Sequence, residues 1–400
     1  MKKRNVLSLI ISCLFLSGCW DHSEPERLLY VNGLGVDYKE NGDVEVFLQL
    51  INLQGLAKIE SGGGPSSVKQ SQVGQATGRT MEEAVFNLYH TVDRRVFWGH
   101  LSYVILSKEA VVKGAVKDVA DLLDRFRETR YRTYFFVTQD PLKEVMLIEP
   151  LDNIPLAFSK LSDPIDNYKQ TSLIEPIDLR KLIIHTDEPS HQVVLPVVKM
   201  TEQWSDKKEK QKDLLMEEVA IVHHNTLLDI IPEKLFQGAR GVEQDFIRDL
   251  VVLSPGNSQK QHLSVVVYNK KVKVQPVVES GKVRFHIKMK IKGTLQMTKF
   301  NLKKAEIEKE VAKTIAQEIR TAYAYGQKKN IDLFELSLVT YRQNNQAWKK
   351  VEKDGLIPLE KDTIKSIDIN VHLQNTGRNS QDAIFPEQKN EGFEKRYPKE

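Results

Sequence analysis

The tetrapeptide Leu16-Ser17-Gly18-Cys19 limits what this chain can fold into more than any other feature. It follows a basic start (Lys2, Lys3, Arg4) and an apolar run from Val6 to Leu16. That is the layout of a secretory signal peptide, with cleavage between Gly18 and Cys19. The run is too short to span a bilayer, which takes about 20 apolar residues. Residues 1–18 are therefore expected to leave, and Cys19 to become the first residue, bearing an S-diacylglycerol thioether and an N-palmitoyl chain. At roughly 0.8 kcal/mol per buried methylene, and with more than one acyl chain, such a tether is stable. A cleaved signal followed by a free cysteine is the plainer reading of the same residues.

The body has no thiol to spare for a disulfide, because Cys13 departs with the signal and Cys19 is the other cysteine. Packing must hold the fold. A chain of 400 residues has room for two or three domains at about 150 residues each. Loss of Lys2, Lys3 and Arg4 lowers the 58 basic residues to 55 against 54 acidic ones, a net charge of +1. No global case for nucleic acid survives that balance. Later apolar stretches such as Val193 to Val198 fall far below spanning length.

The pattern along the chain predicts an α/β (mixed α+β) multidomain protein, with mainly antiparallel or mixed sheets flanked by helices. After a stem over residues 19–28, Leu29 to Asp37 and Val44 to Leu53 read as strands joined by a turn containing Asn41-Gly42. A strand over Val68 to Ala76 follows a glycine-rich loop over Glu60 to Ser67. Thr80 and Glu83 fit a capping box that opens a helix through Met81, Val85 and Leu88. Leu101 to Leu106, Val116 to Arg127 and Arg132 to Thr138 then read as strand, helix and strand.

The region 29–206 forms an N-terminal α/β unit whose part 141–192 is irregular and proline-rich, with short helices expected near Ile154 to Leu161 and Ile177 to Ile184. The charge run Lys207 to Asp213 reads as a solvated loop and a boundary. A C-terminal α/β domain over 214–378 follows, and then a polar tail over 379–400. In that domain Val283, Phe285, Ile287, Met289 and Ile291 alternate with Arg284, His286, Lys288, Lys290 and Lys292, which predicts one buried and one wet face. Asn301 is placed to cap a long helix from Leu302 to about Tyr325, striped by Ile307, Val311, Ile315, Ile319 and Ala322. A helix over Leu333 to Lys350 and a strand over Ile364 to Leu373 complete the domain.

Local catalytic signatures are absent. The sequence contains no GxSxG elbow, no HExxH and no CxxC, so neither a serine hydrolase nor a zinc cage is legible, and no metal or cofactor is expected. Gly33-Leu34-Gly35 begins a dinucleotide fingerprint, but Tyr38 stands where the third glycine belongs, so these glycines are expected to serve a bulge or close strand packing. His223 and His224 are neighbours in a predicted strand, which should send their rings to opposite faces. One feature leans towards function. Arg284, Lys288, Lys290 and Lys292, with Lys271 and Lys273 on the neighbouring strand, form a basic stripe suited to anionic headgroups or an acidic partner surface. A merely solvated face would carry the same pattern.

At the join of anchor and stem the chain reads Gly18-Cys19-Trp20-Asp21, followed by the strand Gly33-Leu34-Gly35-Val36-Asp37. With Phe97-Trp98-Gly99-His100-Leu101, the long helix near Leu302, Trp348 and the closing Thr376-Gly377-Arg378, this order resembles the Ger(x)C family of spore germination lipoproteins. The resemblance implies a noncatalytic C subunit of a nutrient germinant receptor. It would be lipid-anchored through Cys19 at the extracytoplasmic face of the spore's inner membrane, beside integral membrane subunits A and B. An extracytoplasmic solute-binding lipoprotein is the alternative, expected to have two doubly wound domains around a cleft. An envelope enzyme ranks third.

Overall fold

The computed structural model describes residues 24–52, 71–172, 174–205, 209–242, 246–254, 262–297 and 303–374. In chain order the first half contains β1 (Leu28–Tyr38), β2 (Val44–Ile51), β3 (Ser71–Gly78), α1 (Met81–Tyr89), β4 (Arg95–Phe97), β5 (Tyr103–Ser107), α2 (Lys108–Val112), α3 (Ala115–Arg125), β6 (Tyr134–Thr138) and α4 (Leu142–Met146). There follow α5 (Ile165–Thr171), β7 (Ile177–Asp178), α6 (Leu179–Asp187), β8 (Val193–Ser205), β9 (Lys210–His223), β10 (Thr226–Pro232) and α7 (Glu233–Arg240). The remainder is β11 (Arg248–Leu253), β12 (Leu263–Glu279), β13 (Lys282–Met297), α8 (Lys304–Lys329), α9 (Leu336–Gln343), α10 (Asn345–Val351) and β14 (Ile364–Gln374).

Two sheets result. The larger runs β10-β9-β8-β6-β5-β1-β2-β3, with β4 beside β1 and β7 beside β6. Its centre, β8, β6, β5 and β1, is parallel, and antiparallel hairpins flank it on both sides. The smaller runs β11-β12-β13-β14, antiparallel except for β13 with β14. The mixed α+β class expected from the sequence is therefore the one observed. Two doubly wound domains are not: among the described residues the second sheet has one parallel pairing, made across the helices that follow β13.

Three apolar cores follow from these layers. Val104, Leu106, Phe135, Val137 and Leu195 pack under α1, α3 and α6 through Leu88, Val119, Leu123 and Leu182. On the other face of the same sheet, Ile105 and Phe136 meet Met146, Leu161 and Leu214. The third core lies between the second sheet and α8, where Phe285, Ile287 and Met289 meet Ile307, Val311, Ile315 and Ile319. Each fully buried aliphatic or aromatic side chain contributes about 1.5–3 kcal/mol, which makes the helix stripe the main tie between α8 and the sheet. Val219, Ile221 and Ile231 of β9 and β10 join this third core, so the two sheets share packing.

Several local expectations need correction. Strand β9 begins at Lys210 and pairs Ser205↔Lys210 and Trp204↔Gln211, so much of the charge run read as a loop is strand. Its lysines are exposed at the far end of a long hairpin, where neither face is covered. The helix expected near Ile154 to Leu161 is reduced to 3-10 turns at Leu151–Asn153 and Leu156–Phe158. Pro150 and Pro155 each precede one of these turns, and prolines so closely spaced prevent a continuous run of helical hydrogen bonds. The predicted helix over Leu333 to Lys350 is two helices broken at Asn344, whose side chain accepts from the Ala347 amide.

Thr80 caps α1, its hydroxyl accepting from the Glu83 amide at 3.2 Å. The Glu83 carboxylate, however, accepts from the Arg79 amide at 2.8 Å rather than closing the box on Thr80. Lys303 is the residue before α8, and its amide donates to Glu306 at 2.8 Å, while Asn301 lies outside the described residues. Gly33 lies at a register shift between β1 and β2, and a Cβ there would stand 2.1 Å from the Tyr103 ring. Close packing against β5 thus accounts for this glycine. Among the described residues no helix is long and apolar enough to cross a membrane.

Candidate functional site

Helix α8 covers one face of the second sheet, and among the described residues no helix covers the other. On that other face β12 and β13 set Lys271 opposite Lys290 and Lys273 opposite Lys288, with Lys292 opposite Tyr268. All five lysines are exposed, and none has an ion-pair partner within 4 Å among the described residues. Like charges directly opposite on a sheet repel. The fold thus holds five cations in a row on one face of the sheet. Strand β14 adds Asp368 beside Lys288, Asn370 beside Lys290 and His372 beside Lys292, so one carboxylate borders the row. The edge strand β11 extends the face with Leu250, 49% exposed, and Val252, 51% exposed. The strand that carries these apolar positions has no local signature in the sequence. The alternation Leu250, Val251, Val252, Leu253 is apolar on both faces and gives no period-2 signal.

Arg284 does not belong to this stripe. It is buried, with Nη2 at 3.0 Å from Glu360 and 2.8 Å from Asp362. The Lys282 ammonium, hydrogen-bonded at 2.8 Å, and then Arg284 hold the Glu360 carboxyl below its ordinary range. Those acids precede β14 and lie 76 and 78 residues downstream, too far for local patterning to pair them. His286 is likewise engaged, bonding Ser366 at 2.8 Å. Cys19 and Gly18, the sites assigned to lipidation and cleavage, lie outside the described residues.

Histidines gather elsewhere. His223 and His224 do not point apart, because His224 leaves the strand at φ 45° to begin the β9–β10 turn. Their ring centroids lie 4.0 Å apart, and both reach towards Asp354. Nearby, the rings of His185 and His191 meet edge-on at 3.7 Å. Burial, reinforced by Lys181 and Arg342, pushes His185 down to about 4, and burial with His185 and Arg342 pushes His191 down to about 3. These two rings are neutral fillers at neutral pH.

A further charged group is buried where α7 and β11 meet α8. Arg240 is 1% exposed and pairs with Asp249 at 2.6 Å. Burial and the adjacent Asp249 raise Glu318 to about 7, against the opposing pull of Arg240. A cavity of about 140 Å³ opens beside Gln49, Tyr103, Met146, Leu156 and Leu161. Tyr103 donates to Gln49 at 2.9 Å, and the space falls well below the roughly 300 Å³ of ordinary small-molecule sites.

Comparison with known proteins adds sequence relatives across nearly the whole body. A family model described as the spore germination protein N-terminal domain matches residues 21–200. A second, described as spore germination B3/GerAC like, C-terminal, matches residues 217–377. Spore germination protein KC of Bacillus subtilis (strain 168) is 22% identical over 367 residues, spanning 86% of this chain and 88% of the relative. Spore germination protein A3 of the same strain is 26% identical over 309 residues, 73% and 74% of the two chains. The crystal structure of the GerBC protein superposes with a TM-score of 0.50 at 17% identity, over 86% of this chain and 97% of that one, a likeness of fold.

Proposed function

This chain belongs to the GerAC family of spore germination proteins, matched in both its N- and C-terminal domains, and from that premise we propose that it is a noncatalytic C subunit of a nutrient germinant receptor. In this reading acyl chains on Cys19 hold the body at the outer face of the spore's inner membrane, beside integral membrane subunits A and B. The body then works through contact rather than chemistry. What carries the reading is the sheet face with its five exposed lysines and the apolar Leu250 and Val252 at its edge.

A cationic surface with an apolar margin suits a bilayer rich in anionic headgroups, where each added lysine is worth about 1 kcal/mol. Five such residues, Lys271, Lys273, Lys288, Lys290 and Lys292, would orient the tethered body against the membrane, and the rest of its surface would meet the receptor.

Replacing Lys288 and Lys290 by glutamate changes the local charge by four and leaves the buried face of β13 untouched. Spores carrying this pair of substitutions should respond more slowly to nutrients, and the purified chain should bind vesicles containing anionic lipid less tightly. Unchanged vesicle binding together with an unchanged germination response would refute the role given to this face.

A further inference from the structure

We propose that His223, His224 and Asp354 form a binding site for a divalent transition-metal ion, zinc foremost, which clamps the β9–β10 hairpin to the turn that follows α10. One ligating atom from each of the three residues lies within 4.8 Å of the others. His224 Nε2 is 3.3 Å from Asp354 Oδ1 and 3.4 Å from the Asp354 carbonyl oxygen, and His223 Nε2 is 3.1 Å from that same oxygen. Ligands on a tetrahedral zinc at about 2.0–2.1 Å are separated by roughly 3.3 Å, so these spacings match the edges of such a site.

The hydrogen bonding of His223 is the second observation. Its Nδ1 lies 3.3 Å from the His191 carbonyl oxygen, so carbonyl oxygens face both nitrogens of this buried ring. A neutral imidazole has one N–H and can satisfy one of them. With Nδ1–H donating to His191, the Nε2 lone pair faces the Asp354 oxygen, an opposition that a cation between them removes. In the Nδ1–H tautomer the His191 carbonyl holds the ring while Nε2 faces the Asp354 main-chain oxygen, and an outer partner of this kind orients histidine ligands on metals. Two imidazoles and one carboxylate suit zinc, and the Asp354 carbonyl or a solvent molecule would complete four-coordination.

Both turns are held in place before any ion arrives. His224 and Asn225 adopt φ 45° and 62°, and the Asn225 side chain accepts from the Lys117 amide at 2.9 Å and donates to the Gly114 carbonyl. Asp354 and Gly355 turn at φ 55° and 80°, closed by the Lys353 amide on Leu356 at 2.8 Å and by Trp348 Nε1 on Gly355 at 3.1 Å. One turn belongs to the first sheet and the other to the helical layer of the second. A metal here would therefore fix the two halves of the body relative to each other.

The test uses the full chain in detergent, stripped with chelator and then given zinc sulfate, with metal content read after gel filtration and thermal unfolding read with and without zinc. The inference requires one zinc retained per chain and a higher unfolding midpoint with the ion. His224→Asn and Asp354→Asn keep a residue type tolerant of positive φ, so their zinc-free midpoints should match the parent. Each should bind zinc more weakly by more than the roughly 10–100-fold that loss of an outer-shell partner costs. No retained zinc in the parent, or equal retention by parent and both variants, would overturn the site and leave hydrogen bonding alone as the link between the turns.

Discussion

Replacing Glu318 by glutamine should stabilise the protein, and only above weakly acidic pH. In the folded chain burial and Asp249 raise this carboxyl to about 7, whereas in the unfolded chain it returns to its ordinary 4.5. Between those values the folded state holds a proton that the unfolded state has released, so stability falls as pH rises. The contribution of the protonated group is complete below about 4.5 and lost once the pH passes about 7. At about 1.4 kcal/mol per pKa unit, the loss amounts to about 3 kcal/mol. Glutamine retains the shape and the neutral state, so the difference between Glu318→Gln and the parent should be near zero at pH 4.5 and grow to about 3 kcal/mol at pH 8. Urea unfolding at fixed ionic strength across that range measures it. His185 and His191 act in the opposite sense, since their depressed values withdraw stability as pH falls below 6.5, but they are common to both proteins and cancel in the difference. A difference that stays flat from pH 4.5 to 8 would refute the placement of a half-buried Glu318 beside Asp249.

The same helix pair supplies a steric test. A Cβ on Gly238 would lie 2.1 Å from the backbone oxygen of Glu318, so Gly238→Ala should force α7 away from α8 and cost about 1–3 kcal/mol despite alanine's better helix propensity, and an unchanged urea midpoint would mean the helices are not in such close contact.

Much of the body was legible because its strongest elements are locally consistent. The alternation of β13 and the stripe Ile307, Val311, Ile315 and Ile319 each specify an element and the face it buries, and both are seen. What escaped depends on partners distant in sequence. Arg284 shares the alternation of Lys288 and Lys290, and only the loop before β14 decides that it is buried between Glu360 and Asp362. Strand β9 hides under the charges of Lys210 and Lys212 because its end projects into solvent, while Val219 and Ile221 farther along join the third core. His224 departs from the strand pattern because β9 ends at His223. The following Asn225, a residue that tolerates positive φ, was the available sign of a turn. The convergence with Asp354 spans 130 residues and has no local signature.

The proposed role requires a lipid at one sulfur, that of Cys19. Intact mass measurement of this chain purified from the inner membranes of spores decides it. The account predicts a polypeptide beginning at Cys19 and heavier by a diacylglycerol thioether and an N-acyl chain, and Cys19→Ala should release it into the aqueous fraction. An unmodified polypeptide recovered outside the membrane fraction would contradict it.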